Sequence, residues 1–155
     1  MDYTVATNRD YAYFHAIGSD DANEVSDLLK IVPDATWNVG DTFTVQGRTH
    51  HRRSSSWRLD SGLSDEIELS QHVQALLQKL ERKRLELNCV QEKFLTEIVC
   101  VSFCVQSFGW RLNIETQRRA TSLGISFSFD FYPIGDVHQE IVNLREQLLA
   151  NSSDR

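Results

Sequence analysis

Two alternating apolar runs on either side of a helical stretch constrain this chain more than any other feature. The first is Glu97-Ile98-Val99-Cys100-Val101-Ser102-Phe103-Cys104-Val105 and the second Gly124-Ile125-Ser126-Phe127-Ser128-Phe129-Asp130-Phe131-Tyr132. Strand side chains point alternately to opposite faces, so Val99, Val101, Phe103 and Val105 share one face of the first run. Ile125, Phe127, Phe129 and Phe131 do the same in the second. Between them Asn113 caps a short helix through Leu123 that turns Leu112, Ala120 and Leu123 inward, and Gly124 suits the left-handed position at its end. The unit reads as strand, helix, strand, with its apolar faces toward the helices and Cys100, Ser102, Cys104, Ser126, Ser128 and Asp130 on the reverse.

The rest of the chain supplies matching elements. Asp10 to Gly18 reads as a first strand closed by Gly18-Ser19-Asp20-Asp21. Asp21 with Glu24 has capping-box spacing, and Val25, Leu28, Leu29 and Val32 recur at helical spacing until Pro33 ends the run. Asp34 to Asp41 is then a loop anchored by Trp37. Thr44 to Gly47 fits either a short strand or a mobile arm, and Arg53 to Leu59 reads as a strand with Ser55, Trp57 and Leu59 on one face. Ser64 or Ser70 can cap a long helix from Leu69 to about Phe94, whose Val73, Leu76, Leu77, Leu80, Leu87, Val90 and Phe94 hold one apolar side. The charged stretch Glu81-Arg82-Lys83-Arg84 predicts a bend within it. Beyond Tyr132-Pro133 a last helix, residues 136–150, aligns Val137, Ile141, Leu144 and Leu148 in a seam that either packs on its own domain or pairs two chains as a homodimer.

At 155 residues with 41% hydrophobic and 25% charged residues, the chain has the size and balance of one domain spanning residues 1–155 with its core at about 10–133. Two βαβ-like halves joined by a helix predict an α+β fold: a two-layer ferredoxin-like sandwich with a four-stranded, mostly antiparallel sheet and helices on one face, plus the extra C-terminal helix. Three cysteines are an odd number without zinc spacing, and Cys100 and Cys104 sit about 13 Å apart along one strand, too far for a disulfide. Free thiols, an N-terminal stretch without the pattern of a secretory signal and the lack of a run of apolar residues long enough to span a membrane predict a cytoplasmic protein.

Three stretches, Thr36-Trp37-Asn38-Val39-Gly40-Asp41, Ser56-Trp57-Arg58-Leu59, and Leu123 through Tyr132 with its alternating phenylalanines, together resemble the bacterial domain-of-unknown-function family numbered 4279. The resemblance covers about Tyr11 to Pro133. It implies a small bacterial cytoplasmic domain of α+β type and carries over no catalytic residue.

Function is read from the sheet face turned away from the helices. If Phe14, Trp57, Val99, Val101, Phe103, Ile125, Phe127 and Phe129 point inward, alternation places Tyr13, His15, Ser54, Ser56, Arg58, Ser102, Cys104, Ser126, Ser128 and Asp130 on the open side. This hydroxyl-rich surface is the candidate partner or ligand site. His15, Cys104 and Asp130 would form a thiol triad if their strands were neighbours, but a strand-borne cysteine far from a helix N-terminus is a poor nucleophile. His50 and His51 are adjacent in an extended stretch and cannot easily share one metal ion. Lys and Arg number 16 against 22 Asp and Glu, giving a net charge of -6, which disfavours a nucleic-acid partner and suits a basic protein. The expectation is therefore a non-enzymatic protein-interaction domain without cofactor, metal, nucleic-acid or membrane partner, of inhibitory or immunity type. The alternative is a small-molecule-binding or hydrolytic domain using the open sheet face.

Overall fold

A computed structural model describes residues 8–105 and 109–133. The elements in order are β1 (Arg9–Gly18), α1 (Asn23–Leu29), β2 (Ala35–Trp37), β3 (Thr42–Val45), β4 (Arg48–His51), β5 (Ser55–Asp60), α2 (Leu69–Glu81), α3 (Arg84–Gln91), β6 (Leu95–Cys104), α4 (Ile114–Ser122) and β7 (Ser126–Pro133). The seam Val137, Ile141, Leu144 and Leu148 lies outside the described residues.

The class is α+β, but the sheet differs from the expected four-stranded one. Five strands run in the order β2-β5-β1-β6-β7, and β3 and β4 form a separate two-stranded sheet. β1 pairs antiparallel with both β5 and β6, and β2 antiparallel with β5. β6 and β7 are parallel neighbours, so α4 joins two adjacent strands with nothing inserted between them. Both the β1-α1-β2 and the β5-α2-α3-β6 crossovers are split, β5 lying between the strands of the first and β1 between those of the second. A ferredoxin-like arrangement likewise splits two crossovers but has four antiparallel strands; here the direct α4 crossover adds parallel β7 at the edge, and the sheet is mixed.

Helix boundaries follow local chemistry. Asn113 caps α4 as expected, its side-chain oxygen accepting from the Thr116 amide at 2.8 Å, and Gly124 takes φ +67° just beyond. α2 and α3 are separated at Arg82 and Lys83, where the charged stretch predicts the bend. α1 is shorter than its apolar spacing suggests, because Lys30 turns left-handed at φ 55°. Asp21 does not cap it in a box; its carboxylate accepts from the Asn23 amide, and Asn38 Oδ1 takes the Ala22 N–H. Neither Ser64 nor Ser70 caps α2, whose N-cap position is Glu68.

All four helices of the described residues contribute to one buried cluster. Val25 and Leu29 of α1, Val73, Leu76, Leu77 and Leu80 of α2, Leu87 and Val90 of α3 and Ala120 of α4 pack with Ala12, Phe14, Ala16, Trp57, Leu59, Ile98 and Cys100 of the sheet. Burying each of the larger side chains contributes about 1.5 to 3 kcal/mol. Polar atoms in this layer are matched. His72, fully buried, donates from Nε2 to the Ile67 carbonyl and accepts at Nδ1 from Ser61 Oγ at 2.6 Å, which ties the loop before α2 to its first turn.

Candidate functional site

The strand register sets what the second sheet face carries. On β1 it presents Tyr11, Tyr13 and His15, on β5 Ser56 and Arg58, on β6 Glu97, Val99, Val101 and Phe103, and on β7 Ser126, Ser128, Asp130 and Tyr132. A polar line crosses four strands. Ser56 Oγ lies 2.5 Å from His15 Nε2, His15 Nδ1 lies 3.4 Å from Glu97 Oε1, and Ser128 Oγ donates to Glu97 Oε2 at 2.5 Å. With Nδ1–H toward Glu97, Nε2 accepts the Ser56 proton. Burial lowers the His15 pKa, opposed by its hydrogen bond to Glu97 and reinforced by the Arg58 charge, so the ring is neutral at pH 7.

Serine, histidine and acid follow one another here as they do in acyl-transfer triads. Ser56, however, is wholly buried, and an attacking oxygen must reach its substrate. In this state the line is a polar rib that satisfies its own members across the sheet.

Beside the rib lies an aromatic ladder. Tyr11 stacks on Tyr13 at 6.4 Å and on Phe103 at 6.3 Å, and Phe103 on Tyr132 at 5.2 Å. The Arg58 guanidinium sits 3.9 Å from the Tyr13 ring centre and donates from Nε to Asp60 Oδ1 at 2.6 Å. Desolvation raises the Tyr13 phenol pKa, with Arg58 acting against it. Val99 and Val101 are buried in the row between Tyr13 and Tyr11 on one side and Ser128 and Asp130 on the other. At the β5 end Tyr11, Arg58, Asp34, Asp60 and Asp65 line an open cleft of about 470 Å³.

Seven of the ten sequence-derived residues share this face: Tyr13, His15, Ser56, Arg58, Ser126, Ser128 and Asp130. Three do not. Ser54 precedes β5 and lines a cleft with Trp37 and the β3–β4 hairpin. Ser102 and Cys104 lie on the helix side of β6, where Ser102 Oγ donates to Asp10 at 2.6 Å and the Cys104 thiol contacts Ser102. The parity of β6 is the reverse of the expected one: Ile98 and Cys100 join the helix-side cluster, while Val99, Val101 and Phe103 face away. His15, Cys104 and Asp130 are therefore not assembled. Alternation leaves Glu97, Tyr11 and Tyr132 out of the candidate site and assigns Phe103 to the inner face, although Glu97 carries a signal, being a carboxylate in phase with Val99 and Val101. No group of three metal-ligating side chains occurs among the described residues, and no helix among them is long and apolar enough to cross a membrane.

The family described as Domain of unknown function (DUF4279) matches residues 7–133, most of the chain, and the chain belongs to it. No curated protein matches the chain. No solved structure matches it either.

Proposed function

We propose that this chain is a non-enzymatic protein-interaction domain that docks another protein on the second face of its five-stranded sheet. The observation that carries the reading is the ladder of Tyr11, Tyr13, Phe103 and Tyr132 with Arg58 laid over it. Tyrosine, phenylalanine and arginine are the residues enriched in interface cores and hot spots, because each offers a large, stiff contact surface. Tyr132 is 49% exposed, so part of the ladder is open to a partner. The net charge of -6 favours a basic partner, and inhibitory or immunity-type binding in the cytoplasm fits a face whose serine–histidine–acid line is closed to substrate by the burial of Ser56. The test is capture of partners by wild type and by Tyr11→Ala/Phe103→Ser, followed by reconstitution with the purified partner. Loss of one reconstituted partner in the variant supports the reading; an identical set retained by both excludes this face.

A second reading, small-molecule binding, is favoured by the cleft where Tyr11 and Arg58 meet Asp34, Asp60 and Asp65. It predicts that Arg58→Ala shifts the affinity of a ligand found by thermal-shift screening while His15→Ala does not. Unchanged melting with every compound class would remove it.

A further inference from the structure

The β3–β4 hairpin departs from the acidic character of the chain. Its turn is Gln46-Gly47, both left-handed at φ 49° and 74°, the backbone of a two-residue hairpin whose twist matches its strands. From Arg48 to Arg53 it reads Arg-Thr-His-His-Arg-Arg, three guanidiniums and two imidazoles in six residues. None of the three arginines forms an ion pair among the described residues.

Isolated two-stranded hairpins are marginal in water, and this one is clamped. The Arg52 guanidinium lies 4.1 Å from the Trp37 ring centre in β2 and 4.0 Å from that of Phe43 in β3. Backbone bonds from Gly40 N to Arg52 O and from Arg52 N to Asp41 O extend the ladder. The stacking has a chemical consequence. A guanidinium directs its five N–H donors in its own plane, so rings over it leave those donors free at the edge. No side-chain hydrogen bond from Arg52 to protein is made among the described residues. Arg52 is thus held rigid, partly dehydrated and with its donor fork unused, a state suited to bidentate capture of an oxyanion.

The cleft beside it, about 290 Å³, is lined by Trp37, Phe43, His50, His51, Arg52, Arg53 and Ser54. His50 stacks on Phe43 at 5.5 Å, and His51 Nδ1 donates to the Gly40 carbonyl at 3.3 Å, leaving its Nε2 edge unbonded. The only acid in the β2–β3 connection, Asp41, already accepts from the Asn38 amide at 2.7 Å.

We propose that this cleft binds the phosphate group of a small phosphomonoester, with the Arg52 fork as the primary contact and Arg53, His51 and Ser54 around it. A dianion matches this density of positive charge better than a carboxylate does. The inference does not rest on the docking face described above.

The probes are phenyl phosphate and benzoate, titrated into the full chain while the Arg52 Nε–H resonance is followed. Phenyl phosphate is expected to give a saturable shift and benzoate a weaker one. Arg53→Gln, an exposed and unstacked position, is expected to weaken phenyl phosphate by about tenfold, the loss of one charge-assisted contact. Arg52→Lys keeps the charge but loses the planar fork; followed by the Arg53 and Ser54 backbone amides, which report on the same cleft, it is expected to abolish saturation while the Gln46-Gly47 amide shifts show the turn intact. Absence of saturable binding, affinity unchanged by Arg53→Gln, or equal affinity for benzoate would each overturn the assignment.

Discussion

His15 and Ser56 meet across the β1–β5 boundary, Nε2 to Oγ at 2.5 Å, in a pairing that fixes the neutral ring on the inner side of Glu97. Burial holds the His15 pKa below the ordinary 6.5. Where the unfolded chain binds more protons than the native one, stability rises with pH. Above about pH 6.5 both states are neutral and the contribution of His15 is complete. As pH falls below that value the unfolded ring protonates first, and stability declines until the native ring protonates as well.

His15→Gln should therefore flatten the fall in stability between pH 7 and 5. Urea unfolding at pH 7, 6 and 5 reads it directly. A variant with the same slope as wild type would show that His15 titrates alike in both states.

Trp57 is wholly buried, and its Nε1 donates to Ser26 Oγ at 2.8 Å, so one residue joins β5 to α1 by both packing and a hydrogen bond. Trp57→Ala should cost about 3 to 5 kcal/mol through the cavity it leaves. Ser26→Ala should cost about 1 to 3 kcal/mol, because a buried indole N–H is left without an acceptor. Chemical denaturation of both variants checks the order; a near-neutral Trp57→Ala would contradict the helix-side placement of the ring.

At the end of β1, a Cβ on Gly18 would stand 2.8 Å from Phe94 Cδ1 and 3.0 Å from the Lys93 carbonyl. Space, and not torsion, demands glycine there. Gly18→Ala should destabilise by about 1 to 3 kcal/mol as an overpacked contact. Adding Phe94→Leu should recover part of that loss, and a double variant no better than the sum of its singles would place the strain at the carbonyl instead.

Much of the fold was legible because the signals were redundant. The alternation of Tyr13, Phe14, His15 and Ala16, the seam of Leu76, Leu77 and Leu80, and the Asn113 cap each agree with their neighbours. Alternation failed on β6. Ile98-Val99-Cys100-Val101 is apolar on both faces, and the longer in-phase series Val99, Val101, Phe103 and Val105 points inward on alternation alone, whereas Ile98 and Cys100 fill the helix-side core. That inversion displaced Ser102 and Cys104 from the candidate site and hid Glu97. The parallel β6–β7 pair was illegible for a different reason: strand order depends on where a crossover docks, which local spacing does not encode. The β3–β4 hairpin carried its signal in Gln46-Gly47, a turn pair weaker than Asn-Gly, between strands of four residues with almost no buried face.

The three thiols test that β6 parity. Cys89 is exposed, Cys104 half-buried and Cys100 buried on the helix side, where desolvation pushes its pKa up to about 12. Only a thiolate attacks a disulfide reagent, so an aromatic disulfide at pH 8 should modify Cys89 first, Cys104 more slowly and Cys100 only through unfolding. Peptide mapping over time separates the three. Raising urea below the unfolding midpoint should accelerate Cys100 in proportion to the unfolded population while leaving the Cys89 rate nearly flat. If Cys100 instead reacted at the Cys89 rate in the native protein, its side chain would have to leave the helix-side cluster, and Val99 and Val101 would return to the inner face of the sheet together with the loss of the aromatic ladder as a single surface.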